Sequence, residues 1–265
     1  MSTPINLPTS RTEALYQKDG TKYTHTSTLE TLHPLSSFPE ETRTLFKLPT
    51  TPAHESHSAP FILTTPSTIF HAQGGGQPSD TGTITFPQDH AQDLIPSTLH
   101  IHQVRKPATS SSILHLGTFS PSSTPSLPLG APIHQTISIP TRTLHSRLHT
   151  AGHALGLAIY QLSASGALPS DLKDGKASHY PGSACVEFHG LIPGTAKETI
   201  QAKVDELVAR DLEIGIAFLS RERADREWCY ACGGTHVQRL GEVGRVVVRG
   251  IRRQKGVSRV GYEVV

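Results

Sequence analysis

The sequence predicts an α+β fold, with a small β-barrel in the first half and a mixed layer of helices and strands in the second. Three observations predict it. From Leu15 to about Ile139 the chain runs in short alternating segments broken by Gly, Pro and Ser. After Pro140 an apolar stripe recurs at three- and four-residue steps. From Val243 to Val265, Val, Ile and Tyr alternate with Arg and Lys. A chain of 265 residues with 35% hydrophobic content supports two modest domains rather than one large core. The expected division is 1–139 for the barrel and 140–265 for the α+β half.

In the first half, Thr65 to His71 and Leu99 to Val104 read as strands. The stretches His54 to Pro60 and Thr118 to Pro132 are rich in Pro and Ser and read as surface loops. Pro140 with Thr141 and Thr143 marks a helix start, and Leu144, Leu148, Ala151, Leu155 and Ile159 form its apolar face. A second helix opens with the capping pair Thr195 and Glu198 and buries Ile200, Val204, Leu207 and Val208. Ile214, Ile216 and Phe218 alternate like a strand, and the last segment reads as a hairpin turned at Lys255 and Gly256.

Composition limits the functions open to the chain. Lys and Arg total 24 against 22 for Asp and Glu, so the net charge of +2 carries no global nucleic-acid signature, and any basic surface has to be local. The three cysteines, Cys185, Cys229 and Cys232, argue against a disulfide framework and for a reducing compartment, so a cytoplasmic protein is expected. No stretch approaches the roughly 20 apolar residues that cross a bilayer, and Met1 to Asn6 lacks a basic start followed by an apolar run. A monomer is the default expectation.

Spacing singles out one constellation. His149 and His153 lie four apart on the expected helix, where both rings reach a single ion. Cys232, Gly233, Gly234, Thr235 and His236 add a thiolate and a third imidazole, and the two glycines let a tight loop aim both inward. Three His and one Cys suit Zn²⁺ better than Mg²⁺ or Ca²⁺. Each half has a plainer reading. An i,i+4 histidine pair alone is more often a polar helix face, and Cys229 with Cys232 has the spacing of a structural zinc site or a redox dithiol. His145, four residues before His149, reads as a supporting or surface residue.

The segments His149-Thr150-Ala151-Gly152-His153 and Cys232-Gly233-Gly234-Thr235-His236 resemble the paired HxxxH and CxxxH signatures of the alanyl-tRNA synthetase editing domain and of its free-standing relatives, the AlaX proteins. Gly74 to Gly82, read GGGQPSDTG, resembles the glycine-rich motif of the medium-length members. The resemblance runs from about Leu15 to Val265. It departs in the Ser/Pro-rich stretches and at Gly152 and Gly156, where bulkier residues are common and where the glycines weaken the helix locally.

The resemblance implies a barrel followed by a zinc-binding α/β-sandwich editing domain of the threonyl/alanyl-tRNA synthetase second additional domain type. It places Zn²⁺ on His149, His153, Cys232 and His236. It also implies a trans-acting hydrolase that deacylates mischarged tRNA(Ala), chiefly the seryl form, with the glycyl form as a second substrate. The chain is too short to carry a class II aminoacylation domain as well, so no ligase activity is expected. Four protein ligands close a zinc site, whereas catalytic sites keep a position open, and His236 is expected to be the ligand that yields. Serine exceeds alanine by one hydroxyl, and Gln77 and Thr235 are the candidates to hydrogen-bond it. From Arg239 to Arg259 the stretch holds Arg239, Arg245, Arg249, Arg252, Arg253, Lys255 and Arg259 against Glu242 alone. It reads as a phosphate contact centred on Arg252, Arg253 and Lys255, or as a solvated edge hairpin. Arg142 and Arg147, beside the zinc helix, are the candidates to meet the tRNA acceptor end.

Overall fold

The computed structural model describes residues 5, 7–47, 59–87, 97–120, 128–218 and 230–265. Residues 54–58 and 121–127 of the two Pro/Ser-rich stretches, and Cys229, lie outside the described residues, whereas residues 118–120 and Pro132, expected in a loop, belong to strands. The chain groups into two units, Met1–Gln73 with Ser79–Arg142, and Gly74–Pro78 with Thr143–Val265. The main division thus falls three residues beyond the expected 139/140 boundary, and the glycine-rich turn groups with the second unit.

The first unit contains β1 (Glu13–Ala14), β2 (Thr24–Thr28), β3 (Thr31–Pro34), α1 (Glu40–Arg43), β4 (Phe61–Thr64), β5 (Ser67–Thr68), β6 (Gly82–Thr85), β7 (Thr98–Arg105), β8 (Leu114–Ser120) and β9 (Pro132–Ile137). Seven of these strands form an antiparallel sheet in the order β2-β9-β6-β7-β8-β4-β3. β2 and β3 sit at opposite ends of that order although only residues 29 and 30 join them, so the sheet curls back on itself. The period-two pattern explains the core. On β7, Leu99 and Ile101 are buried while His100 and His102 are exposed, and a bulge after Ile101 moves the next buried position to Val104. The strand expected over Thr65–His71 is only β5, paired in parallel with β1.

The interior also holds polar groups that find partners, as burial demands. His115 lies between the Thr68 hydroxyl at 2.8 Å and the Leu63 carbonyl at 3.2 Å. Gln135 accepts from the Ile69 amide and donates to the Ser67 carbonyl.

The second unit contains most of α2 (Ile139–Ala164), then β10 (Lys173–Ser178), β11 (Cys185–His189), α3 (Lys197–Ala209), β12 (Val246–Gln254) and β13 (Val257–Val264). Its four strands form an antiparallel sheet in the order β10-β11-β13-β12. Val186, Phe188, Val246, Val248, Val260 and Tyr262 from the sheet share one core with Leu148, Ala151, Leu155 and Ile159 of α2 and Ile200, Val204 and Leu207 of α3. The helical periods therefore name the buried faces, with Leu144, 36% exposed, outside the core.

Three expectations are corrected. A 3-10 turn over Gly194–Ala196 occupies the place of the Thr195 cap, and α3 starts at Lys197 with Ala196 as an N-cap that makes no side-chain cap bond. Ile214 to Phe218 forms no strand. Glu213 makes a single bridge to Arg239, and Ile216 and Phe218 are 51% and 73% exposed, because alternation without a neighbouring ladder does not hold a strand. β10 and β11 have no counterpart among the expected strands, since Lys173–Ser178 is polar and mostly exposed. The closing hairpin turns as expected, with Lys255 at φ 51° and Gly256 at φ 77° between paired Gln254 and Val257. Among the described residues, no helix is long and apolar enough to cross a membrane.

Candidate metal centre

On α2, His149 and His153 stand one turn apart with ring centroids 4.9 Å from each other. The irregular segment after Tyr230 brings Cys232 and His236 to the same place, so one ligand atom from each of the four residues lies within 4.8 Å of the others. Local bonds shape that loop. The Cys232 sulfur accepts from the Gly234 amide at 3.3 Å, and the Val237 amide donates to the Thr150 hydroxyl on α2. Gly234 leaves room for the first histidine, since a Cβ there would sit 2.2 Å from the His149 ring.

Hydrogen bonds select the nitrogens. His149 Nδ1 lies 2.6 Å from Gln77 Oε1, so Nδ1 carries the proton and Nε2 faces the Cys232 sulfur at 3.3 Å. His236 repeats the pattern more loosely, with Nδ1 3.3 Å from the Thr150 hydroxyl and Nε2 3.4 Å from the sulfur. His153 Nε2 is buried with no hydrogen-bond partner among the described residues. Burial lowers His153 to about 3, helped by the neighbouring His236 and His179, and lowers His236 to about 4. The His153 and His236 imidazoles are therefore neutral near pH 7, the form that ligates. Cys232 is exposed as a residue, but desolvation around its sulfur raises the thiol, opposed by the Gly234 amide.

These donors fit a metal ion. Sulfur-to-nitrogen separations of 3.3 and 3.4 Å match the edge of roughly 3.5 Å in a tetrahedron with bonds of about 2.0–2.3 Å. The buried His153 Nε2, which has no hydrogen-bond partner among the described residues, is a group that an ion would satisfy.

Gln77 and Thr235 both adjoin the centre, yet their polar atoms are engaged. Gln77 Oε1 also accepts from the Thr235 amide at 2.9 Å, its Nε2 donates to the Thr235 hydroxyl at 2.8 Å, and that hydroxyl lies 2.7 Å from the Ser146 hydroxyl. The glycine-rich turn makes this reach possible: Gly75 and Gly76 adopt φ of 56° and 81°, and the Gly74 amide and carbonyl both bond the Gln77 backbone.

The expected acceptor-end contacts need correction. Arg142 is 1% exposed, with Nε 3.1 Å from both Asp80 oxygens, Nη1 donating to the Gly20 carbonyl and Nη2 to the Ile69 carbonyl. A guanidinium enclosed in this way is not available to a phosphate. Arg147 is held by the main-chain oxygens of Val243 and Val265 at 2.9 and 3.0 Å. On the hairpin, Arg249 pairs with Glu263, and Arg239 pairs with Asp211 at 2.8 Å. Arg252, Arg253 and Lys255 are exposed and carry no ion pair among the described residues. His145 is buried on α2 and is not among the four clustered ligands.

Two aromatic neighbours of the cluster lie outside the set that the sequence picks out. The His179 ring stacks on His149 at 4.3 Å, and the Tyr230 ring lies 4.5 Å from His153. They also explain the unusual glycines of α2. A Cβ on Gly152 would lie 2.4 Å from the His179 ring, and one on Gly156 would lie 2.4 Å from the Tyr230 hydroxyl. The helix runs unbroken through both, so these glycines provide space rather than a weak point. They are the sequence signal through which both rings could have been found.

The chain is similar to parts of aminoacyl-tRNA synthetases. The family model described as threonyl and alanyl tRNA synthetase second additional domain matches residues 222–260, which include Cys232 and His236. Alanine–tRNA ligases are similar over much longer stretches. That of Parafrankia sp. (strain EAN1pec) is 25% identical over 204 residues, covering 68% of this chain and 21% of the ligase. That of Halobacterium salinarum (strain ATCC 29341) is 25% identical over 235 residues, 78% and 23% respectively, and that of Haloquadratum walsbyi is 24% identical over 221 residues, 74% and 22%. The chain thus spans about a fifth of the length of these relatives. The chain is thus similar, along two thirds or more of its length, to about a fifth of alanine–tRNA ligases, and around the Cys232 loop to the second additional domain of threonyl and alanyl tRNA synthetases.

Proposed function

We propose that the protein is a trans-acting, zinc-dependent deacylase of mischarged tRNA(Ala), acting chiefly on the seryl form and secondarily on the glycyl form. The observation that carries this reading is the convergence of His149, His153, Cys232 and His236 to within 4.8 Å in a chain of this relationship. Bound there, Zn²⁺ would polarise the ester carbonyl, lower the pKa of a water or orient the substrate amine. The protein's own groups do the rest. Gln77 holds His149 as the Nδ1–H tautomer and ties Thr235 beside it. Thr150 supports His236 through a longer bond, consistent with His236 as the ligand that gives way to substrate or water.

Exposed Arg252, Arg253 and Lys255 supply the phosphate contact in this reading. Arg252 stands directly across from Arg259 in the ladder, a like-charge pair that costs stability and suits an anionic partner. A cytoplasmic location is consistent with the sparse cysteine usage, and the protein acts as a monomer in this reading.

Deacylation of seryl-, glycyl- and alanyl-tRNA(Ala), each with and without a chelator, tests the proposal. Chelator-sensitive release of serine, slower release of glycine and sparing of alanine are expected. Tight tRNA binding without deacylation would assign a binding module, and chelator-resistant activity would assign the metal to structure. His236→Ala should lower activity more than metal content; parallel loss of metal and fold would contradict the yielding-ligand role.

A further inference from the structure

Recognition of a seryl group needs a hydrogen-bond partner that is left unpaired when alanine or glycine enters. The two residues whose chemistry suggests this role are engaged elsewhere. Gln77 has both ends of its amide bonded, and the Thr235 hydroxyl faces Gln77 and Ser146. His179 is differently placed. Its ring lies 4.3 Å from His149 and 6.3 Å from His153, centroid to centroid, so it borders the cluster without belonging to it.

The bonds around His179 define its chemistry. The Tyr262 hydroxyl donates its only proton to the Leu148 carbonyl of α2 at 2.8 Å. Its oxygen must therefore accept from His179 Nδ1, 2.6 Å away, which makes Nδ1 the protonated nitrogen. Nε2 is left with a lone pair and no hydrogen-bond partner among the described residues. Three chain segments are built around this ring. The His179 amide donates to the Gly76 carbonyl, a Cβ on Gly76 would lie 3.2 Å from Cδ2, and one on Gly152 would lie 2.4 Å from Cε1.

We infer that His179 is a specificity-determining residue, whose Nε2 accepts a hydrogen bond from the side-chain hydroxyl of a seryl group seated at the metal centre. The inference rests on the deacylase reading above and deepens it. An acceptor fixed in one tautomer discriminates by chemistry. A hydroxyl donates to it, while a methyl group or a hydrogen leaves it desolvated and unpaired. The ligand class read at this position is an aminoacyl ester with a donor on its β-carbon.

Two near-isosteric variants separate this role from structural support. His179→Asn retains an amide near Nδ1 for Tyr262 and leaves nothing at the position of Nε2, whereas His179→Gln returns an acceptor there. Zinc content is measured for each protein, together with kcat/KM for seryl- and glycyl-tRNA(Ala). The Asn variant should lower the seryl-to-glycyl ratio about tenfold, the worth of one net hydrogen bond, and the Gln variant should recover most of it, with zinc retained in both. An unchanged ratio in both variants, or a fall shared equally by both substrates and tracking zinc content, would overturn the inference. If the unaltered protein deacylates neither substrate, the deacylase reading fails and this assignment fails with it.

Discussion

Gln77 illustrates what single residues contribute. Its Oε1 fixes the tautomer of His149 while its Nε2 holds Thr235, so one side chain orients a ligand and the loop bearing two others. Gln77→Ala should weaken zinc binding by about 10–100-fold, as removal of such outer bonds usually does; competition with a chromophoric chelator checks it, and wild-type affinity would remove Gln77 from this role. The clustering of His149, His153, Cys232 and His236 is legible in the sequence because each pair is local, at spacing four. The part played by Gln77 is not, since its partners lie 72 and 158 residues away. Arg142 misleads for a related reason: a basic residue next to the ligands suggests phosphate, but its Asp80 partner lies 62 positions earlier and encloses it. Arg142→Ala should therefore lower stability by about 3–5 kcal/mol, because it leaves Asp80 buried and unpaired. A urea titration reads this directly, and a change below about 1 kcal/mol would mean that the pair is solvated.

At the scale of elements, periodic segments with a packed face are readable and segments defined by their partners are not. The α2 and α3 stripes and the closing hairpin follow from period and turn chemistry. Ile214–Phe218 alternates equally well but joins no ladder among the described residues, while polar β10 is a strand only because β11 lies beside it. The hairpin carries its own prediction. Replacing Arg252 and Arg253 with Ala should weaken tRNA binding and flatten its salt dependence, by up to roughly 0.9 in log–log slope for each phosphate no longer neutralised. Binding that is unchanged between low and high salt would leave the arginines as guards of a solvated sheet edge.

At the scale of the molecule, buried imidazoles link stability to pH. His115 is held near 4 by burial, well below the ordinary value near 6.5. Its folded value is depressed, so protonation favours the unfolded chain. The stability it permits is present above about pH 6.5 and declines as the pH falls towards 4, by about 3 kcal/mol in all. Urea midpoints of the metal-free protein should fall across that window, and His115→Gln should flatten the fall; a variant with the unaltered pH slope would show that His115 does not set it. A metal ion bound at the cluster would add stability by mass action and be released on acidification, because protons would compete for the imidazole nitrogens and the thiolate.

The proposed enzymatic activity stands on four clustered side chains that would hold the one ion that ester hydrolysis is proposed to need. Release of serine from seryl-tRNA(Ala) decides it, measured with purified protein, with the same protein after chelation, and after return of one equivalent of Zn²⁺. Activity should be present, then abolished, then restored in step with bound zinc at one ion per chain. Full activity in protein shown to contain no bound transition metal would contradict the assignment.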